Sequence, residues 1–64
     1  MSYLLVLGGG ESGVGAAILA QKVGLPCRVS DKGKLNPQYR EELEKRGIPY
    51  EEGKHSPDWL LGAN

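Results

Sequence analysis

The sequence has no phenylalanine, and one each of cysteine, histidine, methionine and tryptophan. The lone Cys27 excludes an internal disulfide. Cys27 and His55 together fall short of the four ligands that a structural zinc site needs. Neither sign of charge is in excess: eight Lys and Arg balance eight Asp and Glu. That balance offers no basic surface to a nucleic acid or an anionic membrane. The longest apolar run, Leu4 to Leu7, is far short of the roughly 20 residues of a membrane span. The N-terminus has no basic stretch followed by a cleavable apolar segment, so a signal peptide is not expected. These absences and the unpaired thiol make a cytoplasmic setting the expectation.

Length is also scarce. With 64 residues the chain makes one small domain, expected to span residues 1–64. An unfolded chain of this size exposes roughly 10,000 Å² and a compact one roughly 4,000 Å². If about 60% of the difference is apolar, its burial contributes about 90 kcal/mol. Ordering the chain costs about 90–100 kcal/mol. The terms nearly cancel, so the chain folds alone only marginally, oligomerises, or is part of something larger. A hydrophobic content of 39% in compact periodic segments argues against disorder.

What is present is a regular alternation. Tyr3 to Leu7 is a continuous apolar run, as in a strand covered on both faces. Glycines follow at 8, 9, 10 and 13, and Val14 to Val23 reads as a helix with small residues at 15, 16, 17 and 20. Gly24 and Pro26 end that helix. Cys27 to Ser30 reads as a second strand ending at Asp31. Asn36-Pro37 reads as an N-cap followed by proline at the first helical position, in a helix running through Arg46. Glu41–Lys45 and Glu42–Arg46 have the spacing of favourable pairs on its exposed side. Ile48 to Glu51 reads as a third strand, at an edge because Pro49 lacks an amide hydrogen. Ser56-Pro57 opens a short last helix ended by Gly62. The order β-α-β-α-β-α predicts an α/β fold: a Rossmann-like three-layer half with three parallel strands in the order 3-2-1 and helices on both faces.

The motif Gly8-x-Gly10-x-x-Gly13 stands between the first strand and the first helix. In that context Gly8 permits a tight turn, Gly10 lets a ligand approach the backbone, and Gly13 lets helix and strand pack closely. The amides of Glu11, Ser12 and Gly13 would face a diphosphate at the positive end of the helix. Asp31 lies near the offset of about 20 residues at which an acid marks the nucleoside end of such a crevice. The Glu11 carboxylate would repel a phosphate unless it turns to solvent or is offset by Lys32 or Lys34. Cys27 reads as a buried strand residue, His55 as a polar loop residue, and Trp59 as an anchor of the last helix. No Ser/His/Asp set is evident, and no Gly-x-x-x-x-Gly-Lys-[Ser/Thr] loop is present to hold the phosphates of ATP.

Leu7-Gly8-Gly9-Gly10-Glu11-Ser12-Gly13-Val14-Gly15-Ala16-Ala17 resembles the start of the MurD ligases, the UDP-N-acetylmuramoyl-L-alanine–D-glutamate ligases. Val29 to Gly33 and Glu44 to His55 are similar to the same family, so the resemblance covers essentially the whole chain. It implies a UDP-binding domain of an ATP- and Mg-dependent ligase of peptidoglycan synthesis that forms an amide to D-glutamate through an acyl phosphate. It also implies that Glu11 and Ser12 contact the diphosphate, and that Asp31 binds the uracil with Lys32 beside it. The substrate-binding set is then Gly8, Gly10, Glu11, Ser12, Gly13, Asp31 and Lys32, and the partner is UDP-N-acetylmuramoyl-L-alanine. The family's ATP-binding and C-terminal domains have no counterpart in this sequence, so the chain alone is expected not to catalyse ligation and to hold no cofactor. Two other readings of the motif stand beside this one: an NAD(P)-binding fragment of a dehydrogenase or flavoenzyme, and a non-catalytic nucleotide-sensing module. With no strand expected beyond the first, Tyr3 to Leu7 would be an open apolar edge, and a homo-oligomer through that edge is expected.

Overall fold

The computed structural model describes residues 3–63. Its elements are β1 (Leu4–Leu7), α1 (Glu11–Lys22), β2 (Cys27–Asp31), α2 (Pro37–Lys45), β3 (Tyr50–Glu52) and α3 (Pro57–Gly62). The strands form one parallel sheet in the order β1-β2-β3, the expected order read from the other side. Its register aligns Leu7 with Ser30 and Ser30 with Glu51, so these three side chains share a face.

The opposite face carries the core. Val29 and Cys27 of β2 are buried with Val14, Ala17 and Ala20 of α1, Leu35, Leu43 of α2, and Ile48. The small residues Ala17 and Ala20 let α1 lie close on the strands, and α1 and α2 share this side. On the other side α3 is held by aromatic and cationic groups. The Tyr3 hydroxyl donates to the carbonyl of Trp59 at 2.6 Å. The Arg28 guanidinium lies 4.0 Å from the Tyr3 ring centroid and 5.0 Å from that of Trp59. Such contacts stabilise by about 0.5–1 kcal/mol each where exposed. Trp59 therefore anchors the last helix, as expected, but through Arg28 rather than an apolar core.

Several boundaries differ from the sequence reading. α1 starts at Glu11, three residues earlier than Val14, because Gly10 is already extended and serves as its N-cap. β2 extends to include Asp31. α2 ends at Lys45, with Arg46 as its C-cap. β3 starts at Tyr50; Ile48 turns into the core instead, and Pro49 contributes only its carbonyl, which accepts from Val29 at 3.0 Å. Asn36 caps α2 through its side chain, which accepts from the Gln38 amide at 3.0 Å. Ser56 precedes α3 but makes no side-chain cap. Glu42 and Arg46 form an ion pair, whereas Glu41 and Lys45 do not close one.

β1 is an edge strand, with Leu4 40% and Leu7 58% exposed. The amides of Leu4 and Gly8 donate to β2 and its flank, to the carbonyls of Pro26 and Ser30. By alternation, Leu5 and Leu7 direct their backbone groups to the free edge. Tyr3 lies outside the strand proper and forms a parallel bridge with Ala63, so the start of this edge is met by the same chain.

Candidate nucleotide site

The carboxyl ends of the three strands carry the glycine turn, the Asp31 loop and the segment after β3. In open α/β sheets this end holds the ligand crevice. Gly8 has φ +108°, a conformation that side chains rarely adopt. Its amide donates to the Ser30 carbonyl at 2.7 Å, tying the turn to β2. A Cβ on Gly13 would lie 1.8 Å from the Gly8 carbonyl oxygen, so close packing of α1 on the turn requires glycine. A Cβ on Gly10 would meet nothing within 4 Å, which leaves this part of the backbone open. The first amide bonded within α1 is that of Val14, to the Gly10 carbonyl at 2.9 Å. No side chain caps the helix. The Glu11, Ser12 and Gly13 amides thus form the positive end of a helix dipole.

Asp31 is a brace within this end. Its Oδ2 accepts from the Gly9 amide at 2.7 Å, and its Oδ1 accepts from the Gly33 amide at 2.8 Å. These two bonds hold its carboxyl below the ordinary aspartate range. The structure thus brings together Gly8, Gly10, Glu11, Ser12, Gly13 and Asp31. Lys32 and Lys34 are exposed on the following loop. Among the described residues neither lysine pairs with Glu11, which is exposed, so of the two expected outcomes its carboxylate turns to solvent.

Two features escape the motif reading. Gly9 is also closely approached: a Cβ there would lie 1.8 Å from Leu35 Cδ2 and 3.3 Å from Asp31 Oδ2, side-chain contacts where Gly13 meets backbone. The only trace in the sequence is that three glycines adjoin where the motif asks for two. The second feature is a polar cluster on the α3 face. Ser30 is fully buried, and its hydroxyl lies 2.7 Å from Glu51 Oε2, 3.0 Å from the Lys54 carbonyl and 2.6 Å from His55 Nδ1. Glu51 also accepts from the Ser56 amide at 2.8 Å and from the Ser56 hydroxyl. Burial resists ionisation of Glu51, but the bonds from Ser56 and Ser30 outweigh it and hold its carboxyl below the usual range. His55 is therefore part of a built network, which its place in a polar loop did not indicate. Ser30 has no exposed hydroxyl and is no nucleophile. Cys27 is buried with its thiol against the Ala17 carbonyl, and burial pushes the thiol pKa up, as suits an inert strand residue. Among the described residues no group of three or more His, Cys, Asp or Glu is placed to share a metal ion.

The chain is 58% identical over 60 residues to the UDP-N-acetylmuramoylalanine–D-glutamate ligase of Porphyromonas gingivalis, covering 94% of this chain and 13% of that protein. It is 42% identical over 64 residues to the enzyme of the same name from Bacteroides fragilis, covering 100% of this chain and 14% of that protein. The corresponding ligase of Christiangramia forsetii is 44% identical over 61 residues, which is 95% of this chain and 14% of that protein. The chain belongs to the MurD ligase family. It spans about one seventh of the length of these MurD ligases. No family model and no solved structure matches it. The glycine turn, the Asp31 brace and the Ser30 cluster all lie within the segment that it shares with the Bacteroides fragilis enzyme.

Proposed function

We propose that this chain is the UDP-binding part of a peptidoglycan-synthesis ligase, and that it holds the UDP moiety of UDP-N-acetylmuramoyl-L-alanine. The observation that carries this is the uncapped start of α1 at Glu11, Ser12 and Gly13, with open space at Gly10. A diphosphate placed there gains backbone donors and the helix dipole without displacing a side-chain cap. Asp31 and Lys32 would stand at the nucleoside end, and family membership favours UDP over a dinucleotide.

In the whole enzyme the reaction would be ATP- and Mg-dependent addition of D-glutamate, in the cytoplasm. The residues of this chain do not fit ATP and Mg: the sequence has no Gly-Lys-[Ser/Thr] phosphate loop, and among the described residues no three carboxylate, His or Cys groups gather for a cation. The chain by itself would bind and orient substrate without catalysing ligation. Calorimetric or NMR titration with UDP, UDP-N-acetylmuramoyl-L-alanine and NAD tests this. UDP is expected to bind more tightly than NAD and to shift the amides of Glu11, Ser12 and Gly13. Asp31→Ala is expected to weaken UDP binding with the fold retained. Tighter binding of NAD would overturn the proposal.

A further inference from the structure

Ser30 Oγ has three neighbours within hydrogen-bond distance and one proton to give. Ionised Glu51 and the Lys54 carbonyl only accept, so the serine proton goes to one of them. Were it turned to His55 instead, the carboxylate oxygen 2.7 Å away would face a lone pair of the buried Ser30 hydroxyl in a part-buried site. His55 Nδ1 therefore carries a hydrogen and donates to Oγ. The chain of bonds runs from Nδ1–H to Oγ, and from O–H to Glu51. In the neutral imidazole this leaves Nε2 as a bare acceptor. Nε2 has no partner among the described residues, and no buried side-chain nitrogen or oxygen there lacks one, so Nε2 meets solvent.

Position adds to this. Ser30, which holds His55 by its side chain, also holds the Gly8 turn by its carbonyl, and the next residue, Asp31, holds Gly9. The imidazole thus sits at the same end of the sheet as the glycine turn. Both oxygens of Asp31 are already engaged by backbone amides, so a nucleoside N–H or O–H finds there a partly occupied acceptor. Among the described residues Nε2 is a side-chain acceptor at this end with no partner.

We propose that His55 is a further ligand-binding residue of the nucleotide site, with Ser30 and Glu51 as positioning residues that hold it in the Nδ1–H form so that Nε2 accepts a hydrogen bond from the nucleoside. The inference rests on the UDP reading above. The donor is the ring imide or a ribose hydroxyl; phosphate oxygens only accept, so the diphosphate is not its partner.

Long-range proton–nitrogen NMR on the labelled chain at pH 8 reads the tautomer directly. His55 is expected as the Nδ1–H form, and Ser30→Ala or Glu51→Ala, which removes the hydroxyl or its acceptor, is expected to release it toward the Nε2–H form that free imidazole side chains favour. Two variants are used because Ser30 is buried and one of them must fold. UDP is expected to move Nε2 together with the amides of Glu11 to Gly13, whereas inorganic pyrophosphate moves the amides alone. His55→Ala is expected to weaken UDP about two- to tenfold, the scale of one net hydrogen bond, and to leave pyrophosphate unaffected. N3-methyl-UDP separates the two donors: loss of the Nε2 response assigns the imide, and its retention assigns a ribose hydroxyl. An Nε2–H form in the unmodified chain overturns the proposal, as does UDP that moves the amides while Nε2 stays still. If UDP moves neither, the site reading and this inference fall together.

Discussion

On one face of the sheet Val29 and Leu43 are fully buried among apolar neighbours from two helices. On the other, Ser30 is equally buried, but its neighbours are a carboxylate, a carbonyl and an imidazole. The first face is held by area removed from water, which is non-directional and tolerates small shifts. The second is held by directional bonds, each tied to one geometry, and removal of one partner strands the others. The rigid apolar face places the strand ends. The polar face then presents an aimed nitrogen beside them. On the proposed reading, function would collect where the packing is weaker, because a nucleotide has to be met by polar groups.

The sharpest way to break this contrast is to truncate the apolar face. Leu43→Ala is expected to cost about 2–5 kcal/mol, from lost transfer energy and the cavity left behind. For a chain whose terms nearly cancel, that loss is expected to remove cooperative unfolding. Circular dichroism over a thermal scan checks it, and a cooperative transition near the wild-type midpoint would count against α2 and β2 as the centre of stability.

Ser30→Ala attacks the polar face with a smaller expected cost of about 1–3 kcal/mol, since Glu51 loses a donor and His55 Nδ1 an acceptor in a part-buried site. Denaturant titration would measure it. Ser30→Ala paired with His55→Ala sharpens the comparison: the double change is expected to cost less than the sum of the singles, because the same bond is removed twice. Strict additivity would mean that the two side chains do not bond.

Acid should separate the directional bonds at the strand ends from the apolar packing without mutation. Asp31 and Glu51 are both held below their ordinary pKa in the folded chain. In the unfolded chain each regains a value of about 4, so between the two values the unfolded state binds more protons. Their contribution is therefore full above that range and is lost as pH falls through the lowered folded values. Unfolding midpoints are expected to drop on the acid side, and Asp31→Asn with Glu51→Gln is expected to flatten that drop. An unchanged acid slope in the double variant would show that neither bonding pattern persists in solution.

The contrast also explains what was legible in advance. The apolar runs, the Asn36-Pro37 cap and the glycine spacing are local signals, and they placed the strands, their order and the roles of Gly8 and Gly13. The helix start, read at Val14, lies at Glu11 because Gly10 can be extended or helical, and only its contacts decide. The Ser30, Glu51 and His55 cluster joins residues 21 to 25 positions apart through side chains that neither periodicity nor a motif marks. Ile48 reads as strand because it heads the run Ile48 to Glu51, yet tertiary burial draws it into the core ahead of β3.

The mildest prediction concerns α3. Leu61 is 85% exposed and Leu60 46%, on a helix beside the β1 edge. An exposed leucine removed from any packing carries little energy, so Leu61→Lys is expected to change stability by no more than about 0.5 kcal/mol. The same variant reports on the homo-oligomer expected through β1. Ala63, which follows α3, meets Tyr3 at this edge, so a second copy lying along Leu5 and Leu7 would come up against the end of α3, and if it covers Leu61 a lysine there would weaken the assembly. Sedimentation of both forms over a range of concentrations separates the cases. If the chain is a monomer throughout, Leu61→Lys leaves both mass and stability unchanged. If it self-associates through this edge, the variant is expected to shift the equilibrium toward monomer, with a stability change that grows with protein concentration. A concentration-independent loss of several kcal/mol would mean that Leu61 packs within its own chain, and that the polar face hides an apolar contact of the kind assigned here only to the other side.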